Sequence, residues 1–224
     1  MNDWGTHRAE AYFSPGNRPA RPGRPDADPA DILLLSGGPV SACVLAELCK
    51  EGRAPLAVFV DYGQRAASFQ DEASAALANY YGVPRQKLDI AALRSSGDEV
   101  EGRNALLVQL ALRTVERRQR ATIHLAIYER PGCRDCTPEF AQAIGRTLSV
   151  QTAGCVRLET PFLAWEGAMV LDRAVELGVP IRFTHSCIAG EECGRCRPCH
   201  ERAALLARER DAMVPGGPGR AVAA

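Results

Sequence analysis

The sequence predicts an α/β fold: a doubly wound, parallel, five-stranded sheet with helices on both faces. Three observations carry this. Short apolar runs alternate with amphipathic segments from Asp31 to Leu177, the pattern of strand–helix units whose strands are covered on both sides. Two of the helical segments stop at Gly82 and Gly178, residues that accept the left-handed conformation closing a helix. The 224 residues are 46% hydrophobic and 24% charged, so one sizeable core forms without disulfide staples.

The elements follow in order. Asp31–Leu35 is a buried strand. Ser41–Lys50 forms a helix with Val44, Leu45 and Leu48 inward, and Pro55–Val60 is the second strand. Ala66–Tyr81 is helical in composition, and Gln86–Ile90 is the third strand. Asn104–Arg118 places Leu106, Leu107, Leu110, Ala111 and Val115 on one face at helical spacing. Ala121–Ile127 is the fourth strand, Glu139–Leu148 a helix, Cys155–Leu158 the fifth strand and Ala168–Leu177 a helix. No internal repeat and no second core domain break the alternation.

Several function classes are excluded. No apolar run approaches the roughly 20 residues that span a bilayer. The first thirty residues lack the apolar stretch of a secretory signal, so a cytoplasmic location is expected. Lys plus Arg is 27 and Asp plus Glu is 27; zero net charge argues against direct nucleic-acid binding. The cations are nearly all Arg, since Lys50 and Lys87 are the only lysines. Nine cysteines, an odd count without a secretory signal, point to a reducing compartment rather than a disulfide framework. Residues 1–30, with Pro15, Pro19, Pro22, Pro25 and Pro29, read as a flexible extension, and 212–224 as a flexible tail.

The chemistry begins after the first strand, at Leu35-Ser36-Gly37-Gly38-Pro39-Val40-Ser41. Glycines let a backbone approach an anion closely, and the following helix N-terminus presents free N–H groups. Ser36 and Ser41 add hydroxyls. Read alone, the segment is an anion site or simply a tight strand-to-helix turn. It has no Gly-Lys-Ser, so it is not a Walker loop.

Leu35-Ser36-Gly37-Gly38-x-x-Ser41 resembles the pyrophosphate loop (SGGxDS) of ATP pyrophosphatases. Asp61-Tyr62-Gly63-Gln64-Arg65, Gly102-Arg103-Asn104 and Asp135-Cys136-x-Pro138-Glu139-Phe140 resemble the DYGQR, GRN and DCRPEF blocks of the 7-cyano-7-deazaguanine synthase (QueC) family. Glu159-Thr160-Pro161 and Glu176-Leu177-Gly178-Val179-Pro180 occupy the places of its later segments. The likeness runs in unbroken order from about Asp31 to Arg208.

This resemblance implies a Rossmann-like fold of the adenine nucleotide alpha hydrolase type, with a PP-loop ATP-binding domain over 31–184. It implies conversion of 7-carboxy-7-deazaguanine, with ATP and ammonia, through an adenylate to an amide and then a nitrile. Leu35, Ser36, Gly37, Gly38, Ser41 and Asp61 are then the nucleotide residues. Gln64, Arg65, Arg103, Asn104, Asp135, Cys136 and Glu139 are the substrate residues, with Ser36, Asp61 and Cys136 nearest the chemistry. Magnesium screens the phosphates. A homodimer fits the resemblance.

Each assignment has a plainer counterpart. Asp61 reaches nucleotide or magnesium, or is a solvated strand-end residue. Cys136 is a pocket residue and possible nucleophile, or a small buried residue ahead of a helix. The Cys133-x-x-Cys136 spacing reads as an accident rather than a redox pair.

The cysteines Cys187, Cys193, Cys196 and Cys199 have the spacing C-x5-C-x2-C-x2-C, with Gly190 and Gly194 for tight turns. Four thiolates so spaced suit a closed, structural zinc ion, with an iron–sulfur cluster as the chemical competitor. The segment 185–211 is therefore expected to be a four-cysteine zinc-binding segment and a C-terminal helix. His185 and His200 flank it without being needed as ligands.

The chain departs from the family pattern at three places. Val40 stands for the aspartate of the loop and Gly167 for a lysine after the fifth strand, and Tyr128-Glu129-Arg130-Pro131-Gly132 is a shortened segment. Three readings follow: a family enzyme in which Arg65, Arg103 and Arg130 replace lost contacts; a ligase adenylating another carboxylate, a protein acceptor included; or an inactive, zinc-stabilised binding subunit for nucleotides or deazapurines.

Overall fold

Strands and helices succeed one another as the apolar runs predict. In the computed structural model, which describes residues 30–90, 100–117, 119–128, 130 and 132–213, the strands are β1 (Ala30–Leu34), β2 (Leu56–Asp61), β3 (Arg85–Asp89), β4 (Ala121–His124) and β5 (Val156–Glu159). The helices are α1 (Pro39–Lys50), α2 (Ala67–Tyr81), α3 (Arg103–Leu112), α4 (Pro138–Thr152), α5 (Gly167–Glu176) and α6 (Arg197–Met213). The proline-rich extension, apart from Ala30, and the tail beyond Met213 lie outside the described residues.

All strand pairs are parallel, in the order β3-β2-β1-β4-β5. Chain order reverses between β1 and β4, and ligands of such sheets bind at the carboxyl ends beside this reversal. Successive side chains of β1 point to opposite faces. Leu33 and Leu35 join α1, Leu77 of α2, Val170 of α5 and Leu205 of α6 in one core cluster. Ile32 and Leu34 join Val108 of α3 and Leu148 of α4 in the other. Helix α1 is the most deeply set, with Ser41 to Ala46 and Leu48 buried. Pro39 at its first turn costs nothing, because that N–H has no partner within the helix anyway.

Two elements end several residues earlier than the sequence predicts, while β1, β3 and α5 end one residue early. Helix α3 stops at Leu112, not Arg118: Arg113, Thr114 and Val115 donate to carbonyls three residues back, and the Thr114 hydroxyl donates to Ala111 O at 2.8 Å. Strand β4 stops at His124. Leu125 still donates to Glu159 O, but Ile127 N turns back onto Leu125 O at 3.0 Å. That turn carries Ala126, Ile127 and Tyr128 off the sheet. Helix α4 runs further than expected, from a Thr137 cap whose Oγ1 accepts from Phe140 N (3.2 Å) to Thr152.

A polar knot lies beneath the sheet. Arg53 grips the Asp31 carboxylate with Nε (2.7 Å to Oδ2) and Nη2, and buried His124 places Nε2 3.0 Å from Asp31 Oδ1. Glu51 faces Arg53 Nη1 at 3.1 Å, and Glu159 lies 3.7 Å from His124 Nδ1. Burial pushes the Asp31 carboxyl up, but the Arg53 and His124 hydrogen bonds outweigh it and hold it below its usual range. The ion pair therefore stabilises the fold above the ordinary carboxylate pKa of roughly 3.9, and that contribution is lost as pH falls through the lower folded value. Arg53→Ala is expected to cost about 2 kcal/mol in urea unfolding at pH 7, because it leaves a largely buried carboxylate with only His124 beside it. The gap to wild type should narrow below about pH 4.

Candidate active site and metal centre

A cavity of about 310 Å³ opens at the carboxyl ends of β1, β2 and β4. Its floor is Leu34, Val58 and Val60; its walls come from the turn after β1, the start of α3, and the Leu125–Tyr128 segment. The cysteine segment and α6 close the remaining side with His185, Ser186, Ile188, Pro198, Arg202 and Leu205.

The turn after β1 holds together through its own polar groups. Ser36 Oγ lies 3.1 Å from Ser41 Oγ, Ser41 Oγ donates to Gly38 O (3.0 Å), and Gly38 N points at Ser36 Oγ at 3.4 Å. Gly37 has φ +81°, and a Cβ there would sit 2.7 Å from Gln70 O and 2.9 Å from Ala73 Cβ. Only glycine fits. Gly38 has extended backbone (φ −83°) and faces space instead. Ser36, Gly38 and Ser41 thus present hydroxyls and an N–H to the cavity at the N-terminus of α1, an arrangement suited to an anion.

The opposite wall is cationic. Arg103 and Asn104 begin α3, and both line the cavity with Arg130. Arg103 Nε is buried without a hydrogen-bond partner among the described residues, a vacant donor beside a cavity. Buried Asn104 is locked: its N–H donates to Asp135 Oδ2 (3.1 Å) and its Nδ2 to Asp135 O (2.9 Å). Arg130 lies over the Tyr128 ring at 5.4 Å. Gln64 lines the cavity while tying Tyr62 N (2.9 Å) to Gln70 Oε1 (3.0 Å).

Leu35 also lines the cavity; the remaining residues named from sequence stand behind it. Gly37 and Asp135 support it from outside. Cys136 is buried under Asn104, whose Nδ2 is 3.8 Å from its sulfur. Asp61 accepts from Gly63 N at 3.0 Å and meets Lys87 Nζ at 3.4 Å, away from the lining residues. Arg65 lies outside the lining, its carbonyl against Gly190, and Glu139 is an exposed first-turn residue of α4.

Of three further wall residues only Arg202 carries no signal in the sequence; Tyr128 stands there as part of the shortened segment and His185 as a neighbour of the cysteines. Tyr128 packs its ring into the space beside Gly167, where a Cβ would lie 2.9 Å from Tyr128 Cε2. Arg202 is held by Glu192 (3.1 Å) and Thr184 (3.3 Å). His185 stacks on Phe69, and its N–H donates to Gly37 O at 2.8 Å, tying the cysteine segment to the glycine turn.

The metal-ligand atoms of Cys187, Cys193, Cys196 and Cys199 all lie within 4.8 Å of one another, and Cys193 Sγ is 3.9 Å from Cys199 Sγ. A tetrahedral zinc ion with four sulfurs at about 2.3 Å needs sulfur–sulfur spacings of roughly 3.8 Å, so the donor set fits. Backbone N–H groups of Arg195 and Cys196 hold the Cys193 thiol below its usual range, whereas burial and the neighbouring thiols push Cys199 up; a bound metal would displace the protons of both. His200 is spent on Gly194 O (2.9 Å) and His185 on Cys187 O (3.1 Å), so neither completes the shell.

The Cys133-x-x-Cys136 spacing is not an accident. The two sulfurs are in bonding contact as a disulfide at the edge of the cavity wall.

Residues 30–99 and 98–209 match the family model described as queuosine biosynthesis protein QueC. The chain is similar to a 7-cyano-7-deazaguanine synthase of Synechococcus elongatus, 30% identical over 203 residues, 76% of this chain and 87% of that protein. It is also similar to one of Xanthomonas oryzae pv. oryzae, 32% identical over 216 residues, 82% of this chain and 94% of that protein. Among solved structures, an NMN synthetase from Francisella tularensis aligns over 82% of this chain and 85% of that one, at 13% identity and a TM-score of 0.47.

Proposed function

The chain belongs to the QueC family, and on that premise we propose that it is an ATP-dependent C–N ligase making a nitrile from 7-carboxy-7-deazaguanine and ammonia. The observation that carries the reading is the cavity at the strand reversal, with a glycine–serine anion turn on one wall and a guanidinium with a vacant donor on the other. The named activity of the relatives supports it.

In this reading Gly38 N–H, Ser36 Oγ and Ser41 Oγ hold phosphate oxygens. Arg103 pairs with the carboxylate of the acid, and Asn104, fixed by Asp135, fixes the start of α3 against it. A carboxylate oxygen is a poor leaving group; adenylation makes it a good one, and the protein's part is to hold the two reactants in line and neutralise charge. Among the described lining residues Glu201 is the one acidic side chain, beside Arg197 at 2.7 Å, so magnesium enters with the nucleotide phosphates. Four cysteine thiolates hold zinc, whose closed shell shapes the cavity wall and takes no part in chemistry.

Purified zinc-loaded protein, given Mg-ATP, ammonium and 7-carboxy-7-deazaguanine, should yield AMP, pyrophosphate and the nitrile by mass. AMP without nitrile would mean another acceptor. Absence of AMP would overturn the enzymatic reading. A binding subunit is the second reading, favoured by the apolar Val40 and the Tyr128–Gly167 packing in the cavity wall.

Arg103→Ala is expected to raise KM for the acid roughly 10- to 100-fold, the worth of a charge-assisted hydrogen bond. Arg103→Lys should recover little, because a lysine cannot present the planar fork. Steady-state kinetics with the acid varied at saturating ATP decides this.

A further inference from the structure

We propose that Cys133 and Cys136 are a reversible thiol–disulfide site whose oxidation state sets the grip of Arg130 on anionic ligands in the cavity. The second half rests on the nucleotide reading above; the first does not.

The geometry has three parts. The two Cα atoms lie 5.4 Å apart, within the span a disulfide bridges. Arg130 Nη2 lies 3.8 Å from each sulfur, and the same residue lines the cavity above Tyr128. Cys136 is 1% exposed and touches Asn104, whereas Cys133 is half-buried and faces Asp135 Oδ1 at 3.3 Å.

This asymmetry assigns the roles. The oxidant is a small-molecule disulfide of the glutathione class. Cys133 gives its proton to Asp135 or water, and its thiolate attacks one sulfur of the external disulfide; the first external thiolate leaves and is protonated. The Cys136 thiolate, formed by loss of its own proton, then attacks Cys133 Sγ and expels the second external thiol. Two protein thiols are oxidised and one external disulfide is reduced to two thiols. Arg130 stabilises the attacking thiolate.

The consequence for the cavity follows from charge. Reduced, the thiolate that the exchange step forms on Cys133 competes for the Arg130 guanidinium. Oxidised, the pair offers Arg130 only two neutral sulfurs at 3.8 Å, weak acceptors from which a phosphate or carboxylate draws the guanidinium away. The oxidised chain should bind ATP roughly five-fold more tightly, the worth of one hydrogen bond.

The test uses the zinc-loaded full chain equilibrated in reduced or oxidised glutathione. Trypsin cuts after Arg134, between the two cysteines, so oxidation should appear as a linked peptide pair by mass. Cys136→Ser should trap a glutathione adduct on Cys133, while Cys133→Ser should leave buried Cys136 unmodified; melting curves confirm that both variants fold. Titration calorimetry with ATP reads the coupling. A linked pair with a five-fold affinity difference supports the proposal. No linked pair under strongly oxidising glutathione, or the adduct on Cys136 instead, overturns the site. A linked pair with equal affinities overturns the coupling to Arg130. No ATP binding in either state defeats the nucleotide reading and the coupling together, and the peptide map still decides the redox site by itself.

Discussion

If the four cysteines hold zinc as proposed, Cys199→Ser should lose that ion and with it the fold of residues 185–213. Structural zinc sites supply folding free energy directly, on the order of 10 kcal/mol in isolated zinc-finger peptides. Here α6 adds only Leu205 and Leu206 to a core built mainly from the strands, α1, α2 and α5, so the loss should be largely local. It reaches the cavity by two routes. Pro198, Arg202 and Leu205 of α6 and Ser186 and Ile188 before it form one wall. His185 N donates to Gly37 O at 2.8 Å, so the glycine turn loses a partner too. The expected result is zinc content near zero by atomic emission, early proteolysis within 185–213 and at least ten-fold weaker ATP binding, with sheet signals in circular dichroism retained. A chelator should reproduce it in the wild type. If Cys187→Ser or Cys199→Ser kept one zinc per chain, the four-thiolate assignment would be wrong.

Among the described glycines, Gly37→Ala should be the most damaging added methyl. The residue sits at φ +81°, and the added Cβ would meet Gln70 O at 2.7 Å and Ala73 Cβ at 2.9 Å. Left-handed backbone costs a non-glycine residue about 1–2 kcal/mol, and overpacking against a fixed helix adds roughly 1–3 kcal/mol. About 3 kcal/mol should be lost in urea unfolding, with ATP binding lost as well. Gly38→Ala separates the two effects. Its φ is −83°, and the nearest atoms to a new Cβ are Ser36 Oγ at 3.6 Å and His185 O at 3.7 Å. Stability should change by about 0.5 kcal/mol or less, while the methyl fills the space where a phosphate would meet Gly38 N–H. Equal stability losses in the two variants would refute the anion-turn geometry.

The local chemistry of this protein was written in sequence wherever spacing alone brings groups together. Ser36, Gly37, Gly38 and Ser41 lie within six residues, and one strand-to-helix turn unites them. Cys193, Cys196 and Cys199 lie within seven, and Gly194, at φ +66°, makes the turn between them. The alternation of apolar runs specified the parallel sheet, because each strand must be covered on both faces.

What long-range packing decides could not be read that way. Asp61 follows β2 as expected, yet Lys87 on the neighbouring strand and Gly63 N–H take its carboxylate away from the cavity. Tyr128 becomes a cavity wall only because β4 ends at His124 and the Leu125–Ile127 turn swings it against Gly167. Cys133 and Cys136 look like incidental neighbours until the turn before α4 presses their sulfurs together under Asn104. The sequence determined the sheet, the glycine–serine turn after β1 and the four-cysteine cluster, since each is a matter of periodicity or short-range geometry. Only the tertiary structure decided which charged groups face the cavity and which are spent on one another, because that depends on partners separated by tens of residues and on burial that no spacing records.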